Sequence, residues 1–166
     1  MGIPRHVWYN APQIASTEEV PFPLRIFVAG IMQGSRRDDE ICDQDYRTAI
    51  REVLLRSYPD AEVVCPMELY PESPGYDYER GRQTFLDLAN RASEADILVA
   101  YLPEASMGTA IEMWQAYGAG ARILAISPMV DNWVIKFLSD RVFATMEEFE
   151  EFIASDGLAW VCSRGQ

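Results

Sequence analysis

Leu24-Arg25-Ile26-Phe27-Val28-Ala29-Gly30 is a short, nearly continuous apolar run that ends in glycine. A strand with one wet face alternates apolar and polar residues, whereas a strand buried on both faces reads as an unbroken apolar run. The stretch is therefore read as a central parallel strand. Two later runs share its character, Asp96–Leu102 (DILVAYL) and Ala121–Ser127 (ARILAIS), and a shorter one, Ala61–Cys65 (AEVVC), lies between. A brief strand is expected near Val142. Helical spacing fills the gaps: Tyr46, Ile50, Val53 and Leu54 mark one face of Asp45–Ser57, and further helices are expected over about 78–95, 109–117, 131–138 and 146–154. Strands alternating with helices imply parallel βαβ units and a doubly wound sheet. The expected fold class is a single-domain α/β, flavodoxin-like sheet of about five parallel strands in the order 2-1-3-4-5, with helices on both faces.

Three segments are expected. Residues 1–23 hold Pro4, Pro12, Pro21 and Pro23 without a period and read as an extended arm; residues 24–155 form the α/β domain; residues 156–166 form a tail. The 166 residues carry a formal net charge of -12 and a sequence pI of about 4.4, which makes DNA or RNA a poor partner. The sole histidine is His6, and Cys42, Cys65 and Cys162 stand far apart with no CxxC pair. Neither a zinc site nor a disulfide framework is expected, and no cofactor. No apolar run reaches the roughly 20 residues that span a bilayer, and no signal-peptide core stands at the start, so a cytoplasmic protein without a membrane partner is expected.

In the order 2-1-3-4-5 the strand order reverses between the first and third strands, and ligands bind at that point beyond the strands' carboxyl ends. Two loops meet there. The first, Gly30-Ile31-Met32-Gln33-Gly34-Ser35-Arg36-Arg37-Asp38, offers backbone access at Gly30 and Gly34, a hydroxyl at Ser35 and a bidentate cation at Arg36, a set suited to phosphate. A polar turn with solvated arginines is the alternative. The second, Ala105-Ser106-Met107-Gly108-Thr109-Ala110-Ile111-Glu112, brings Gly108 and Thr109 to a helix start, whose amides attract anions, and Glu112 one turn further. Thr109-x-x-Glu112 also matches a capping box, in which the glutamate folds back on the helix start. Asp87 is either a third site residue or one more solvated helix acid. The loop after the second strand, with Met67, Glu68, Tyr70, Tyr76 and Tyr78, can read a base or form a surface lid.

Three stretches, IFVAGI, TFLDLANRASEADILVAYL and SMGTAIEMWQAYGAGARILAI, together resemble the nucleoside 2-deoxyribosyltransferase family, which includes nucleoside 5'-monophosphate N-glycosidases. The resemblance covers roughly 24–143. It implies that Glu112 is the nucleophile at C1' of the sugar and that Asp87 is the acid that assists the leaving base, although Asp87 stands one residue out of the usual spacing. Ser106 takes the place where the transferases carry an aspartate for the sugar 5'-hydroxyl and the nucleotide hydrolases a serine at the 5'-phosphate. Gly34, Ser35 and Arg36 supply the matching donors. Phe27 replaces the tyrosine typical of members acting on deoxyribose and leaves room for a 2'-hydroxyl, as in a pyrimidine ribonucleotide; a core phenylalanine is the alternative. The family completes its site with a neighbouring subunit, so a homodimer or dimer of dimers is implied, with Asn132 reaching across. The activity implied is hydrolysis of a nucleoside monophosphate to free base and sugar 5-phosphate. Base exchange by a transferase, or nucleotide binding without turnover, are the alternatives.

Overall fold

A computed structural model describes residues 23–32 and 41–159. Five strands, β1 (Arg25–Gly30), β2 (Glu62–Val64), β3 (Ile97–Tyr101), β4 (Arg122–Ile126) and β5 (Arg141–Phe143), form one sheet in the order β2-β1-β3-β4-β5. Every neighbouring pair is parallel. The expected topology is the observed one. Between and after the strands lie the helices α1 (Asp45–Ser57), α2 (Pro66–Leu69), α3 (Tyr78–Ser93), α4 (Met107–Ala119), α5 (Trp133–Leu138) and α6 (Met146–Ala154).

Side chains alternate across a strand, so each buried strand feeds two cores. Ile26, Val28, Ile97, Val99, Leu124 and Ile126 pack with Ile50 and Leu54 of α1 and Phe149 and Ile153 of α6. Phe27, Ala29, Leu98, Ala100, Ile123 and Ala125 face the other way, onto Met113 and Ala116 of α4 and Ile135 of α5. Three of those six strand residues are alanine, which lets α4 lie close to the sheet. α4 stops at Gly120, whose φ of 89° is the left-handed conformation that glycine adopts at helix ends.

Several boundaries differ from the expectation. The loop Pro66–Asp77 holds the one-turn helix α2 and a 3-10 turn at Ser73–Gly75, both started by proline-bearing turns too short to show a period. α4 begins at Met107, two residues before the expected Thr109. Packing continues past 155: Leu158 is buried in the core, and the Tyr58 hydroxyl donates to Asp156 Oδ1 at 2.8 Å while accepting from Leu158 N at 3.1 Å. The arm expected over 1–23 lies outside the described residues except for Pro23. Among the described residues no helix is long and apolar enough to cross a membrane, and no group of acids, cysteines and histidines could hold a metal ion.

Candidate active site

The floor of the crevice is the end of β1. β2 pairs with β1 only as far as Phe27, opposite Val64, so the last residues of β1 project beyond their neighbour on that side. Backbone carbonyls left without a strand need another donor. Arg47 of α1 provides it, donating from Nη1 to the Val28 carbonyl at 2.7 Å and from Nη2 to the Gly30 carbonyl at 3.1 Å. Its Nε donates to Gln44 Oε1 at 2.8 Å, and the side chain is buried.

Beside it, Tyr46 stacks on Tyr101 with ring centroids 4.3 Å apart, and its hydroxyl donates to the Ile31 carbonyl at 3.1 Å. Burial pushes that hydroxyl well above its ordinary pKa, with Arg47 pulling the other way, so it remains a neutral donor. Gly30 makes this packing possible: a Cβ there would collide with the Tyr46 ring, lying 2.7 Å from Cε2. Tyr46 and Tyr101, with Ile31, Cys42, Asp43, Pro103 and Glu104, line a cavity of about 480 Å³ at the carboxyl ends of β1 and β3. A larger hollow of about 560 Å³ at β5 and α6, lined by Arg141, Phe152, Glu148 and Glu151 among others, contains none of the expected site residues.

Glu112 stands in the second turn of α4, within electrostatic reach of Arg47 and Tyr46. The capping-box alternative fails. Ser106 is the N-cap of α4, and its Oγ accepts from Thr109 N at 3.3 Å and from Thr109 Oγ1 at 3.0 Å. Because the helix begins earlier than Thr109, Glu112 is too far along to close on its start. A little of the residue remains open to solvent, yet burial of the carboxyl raises its pKa from 4.5 to about 7, against the lowering pull of Arg47. Among the described residues no hydrogen bond fixes that carboxyl.

The other expected residues divide. Thr109 is buried under the cap, and a Cβ on Gly108 would meet nothing within 4 Å, so packing among the described residues does not demand glycine there. Phe27 is fully buried in the core on the α4 side and presents no open surface. Asp87 lies midway along α3, where its Oδ2 accepts from the Tyr70 hydroxyl at 2.7 Å and from Arg91 Nε at 2.5 Å. The bond from Arg91 holds its carboxyl below the usual range. Asn132 is exposed and caps α5, its Oδ1 accepting from Val134 N at 3.0 Å. Gly34, Ser35 and Arg36 lie outside the described residues. Arg47 was not among the expected residues, although it falls on the same helix face as Ile50 and Leu54, and a cation on an apolar face is itself a signal.

A parallel α/β sheet in this order is a doubly wound, flavodoxin-like fold, and solved structures share it. A 2-deoxyribosyltransferase from Bacillus psychrosaccharolyticus is similar over 76% of this chain and 90% of that one, with a TM-score of 0.58 and 20% identity. A conserved protein from Enterococcus faecalis V583 is similar over 81% of this chain and 99% of that one, with a TM-score of 0.57 and 19% identity. The CMP N-glycosidase of Clostridium botulinum aligns over 78% of this chain and 98% of that one, at a TM-score of 0.46 and 17% identity. No protein-family model matches the sequence, and no curated protein matches it. The chain therefore has the fold of a 2-deoxyribosyltransferase, in line with the resemblance seen in its sequence.

Proposed function

We propose that the chain is an N-glycosidase of the nucleoside 2-deoxyribosyltransferase family, cleaving a nucleoside 5'-monophosphate to free base and sugar 5-phosphate. One observation carries this reading: a carboxyl at the switch point, free of the helix cap and poised near neutrality by burial. N-glycosidic cleavage passes through an oxocarbenium-like transition state that a carboxylate beneath the sugar stabilises. Glu112 attacks C1' as the bond from C1' to the base nitrogen breaks, and its electron pair leaves with the base. Water then attacks C1', the Glu112–sugar bond breaks, the carboxylate is restored, and the water's surplus proton passes to Asp87, replacing the one given to the base. Ser106, still able to donate its hydroxyl proton, faces the 5'-phosphate with Gly34, Ser35 and Arg36. A ribonucleotide such as a pyrimidine monophosphate is the substrate that the resemblance implies, although Phe27, buried in the core, does not itself open onto the site.

Asp87 assists the leaving base in this reading by giving it a proton, which the carboxyl must first take up against the hold of Arg91. Asp87→Asn should therefore slow base release by about 10- to 100-fold, at or below the usual worth of a general acid. Arg91→Met, which frees the carboxyl to take up a proton, should slow it less. An Arg91→Met rate as low as that of Asp87→Asn would remove Asp87 from the role.

A base-exchanging transferase is the second reading, favoured by Asp43 and Glu104 on the cavity wall, two carboxylates that suit an uncharged nucleoside better than a phosphate. The deciding experiment is chromatography of free base after incubation with ribo- and deoxyribonucleoside monophosphates and with nucleosides, with and without a second base, wild type beside Glu112→Ala. Release from monophosphates without an acceptor base supports hydrolysis. Exchange alone supports transfer, and binding without either supports a sensor.

A homodimer, or a dimer of dimers, belongs to the same proposal. Trp114 of α4 is 62% exposed and Trp133 of α5 is 78% exposed, with Phe137 edge-on to Trp133 at 5.9 Å, and a second copy covers this face with Asn132 reaching across. Aromatic side chains at that exposure are characteristic of interface cores. Sedimentation should give a dimer or tetramer for the wild type and a monomer for Trp114→Lys combined with Trp133→Lys; a monomeric wild type at micromolar concentration overturns it.

A further inference from the structure

We infer that Gln44 is a positioning residue for the substrate cavity: its side-chain amide ties the cavity wall at Ile31 and Cys42 to the buried Arg47 fork. The role in binding rests on the reading of this cavity as the nucleotide site, whereas the tie itself does not. Gln44 occupies the N-cap of α1. A residue there ordinarily turns its side chain onto the helix's own free amides, and serine, threonine, aspartate and asparagine do so best. Gln44 makes no such bond. Asp43 Oδ1, one residue earlier, accepts from Asp45 N at 2.9 Å instead. The Gln44 amide is thereby left to make contacts outside its own helix.

Both ends of that amide are engaged. Nε2 donates to the Cys42 carbonyl at 2.7 Å and to the Ile31 carbonyl at 3.1 Å, with the Asp43 carbonyl at 3.3 Å sharing one of its two protons. Oε1 accepts from Arg47 Nε at 2.8 Å. A guanidinium only donates and a carbonyl only accepts, so the amide has a single workable orientation. Beside the tie, Cys42 N donates to the Met32 carbonyl at 2.6 Å. The carbonyls of Val28, Gly30 and Ile31 are thus all held from α1, by Arg47, Gln44 and Tyr46. Ile31, Cys42 and Asp43 all line the cavity, and each receives a bond from this one amide. A wall fixed before the ligand arrives spares the ligand the cost of ordering it. Loss of the tie should therefore weaken binding more than it slows the chemical step.

Two substitutions separate the tie from helix capping. Gln44→Met keeps the length of the side chain and removes its bonds; Gln44→Ser supplies a better cap and loses the tie. The first readout is alkylation of Cys42, a half-buried thiol on the wall, by iodoacetamide, followed peptide by peptide. The buried Cys65 reports global opening in the same sample. In both variants the Cys42 rate should rise about tenfold or more relative to Cys65, the scale of one buried hydrogen bond left unmade. KM for cytidine and uridine 5'-monophosphates should rise about tenfold, with kcat held within about threefold. Should neither variant fold, the wild type decides: the Gln44 side-chain amide protons should exchange with water at least about tenfold more slowly than those of the exposed Gln83. Cys42 rates unchanged relative to Cys65, Gln44 protons that exchange as fast as those of Gln83, or an unchanged KM in variants that release base overturn the inference. A faster Cys42 in variants of a protein that neither binds nor cleaves a nucleotide leaves the tie standing and sinks the glycosidase reading instead.

Discussion

Replacing Glu112 with glutamine is expected to abolish base release, by about 1,000-fold or more, while making the folded protein more stable at alkaline pH. The loss follows from nucleophilic catalysis: an amide cannot attack C1' or carry away the developing positive charge on the sugar. The gain follows from proton linkage. The folded carboxyl titrates at about 7 and the ordinary one at 4.5. Between these values the folded protein keeps a proton that the unfolded chain has lost, so stability falls as pH rises through this window. Below 4.5 both states are protonated and the penalty vanishes; above about 7 it is complete. At ~1.4 kcal/mol per unit, and allowing for the partial opening to solvent, the penalty is roughly 1–3 kcal/mol. Urea melts at pH 8 should favour Glu112→Gln by about that amount, and melts at pH 4.5 should not distinguish the two proteins. Wild-type base release should rise with pH up to about 7 and then level. Equal stabilities at both pH values would show that the carboxyl is solvated, and would remove the observation on which the proposed function rests.

Gly30→Ala should cost about 1–3 kcal/mol in stability, the usual scale for an overpacked core, although it adds one methyl group to the end of a strand. An ordinary collision with a flexible side chain relaxes by rotation. Here the obstacle is the Tyr46 ring, fixed by stacking on Tyr101 at 4.3 Å and by a hydroxyl bond to the Ile31 carbonyl. Moving it disturbs Arg47, the next residue in the chain, and with it the charge beside Glu112. Base release should therefore fall further than the fraction unfolded explains. A double-mutant cycle with Tyr46→Leu separates the causes, since a smaller, more adaptable side chain at 46 should recover most of the stability lost by Gly30→Ala. Additive losses in the cycle would mean that the ring is not the obstacle.

The central strands were legible because burial on both faces writes itself as continuous apolar runs, and Phe27, Leu98 and Ile123 stand where such runs put them. The short helix Pro66–Leu69 was not, since one turn has no period to detect. The start of α4 was misplaced because Gly108 and Thr109 read as an opening pair, whereas Ser106 makes the cap. That small shift decided more than a boundary, as it took Glu112 out of the cap. Arg47 escaped because a single arginine in an amphipathic helix ordinarily faces water; only the register with Ile50 and Leu54 sets it inside. The direction of Asp87, towards Arg91 and Tyr70, depends on rotamers and on a loop whose path no local pattern specifies.

The two outermost strands, β2 and β5, are only three residues long. Glu62 and Arg141 place exposed charges on these borders. So short and charged a border is a poor template for a strand from another molecule, which needs a longer unpaired row of amides and carbonyls. Lateral growth of the sheet into ribbons or fibrils is thereby discouraged at either side. The dimer proposed above uses the helical flank instead, where packing can close a finite, symmetric particle and then stop.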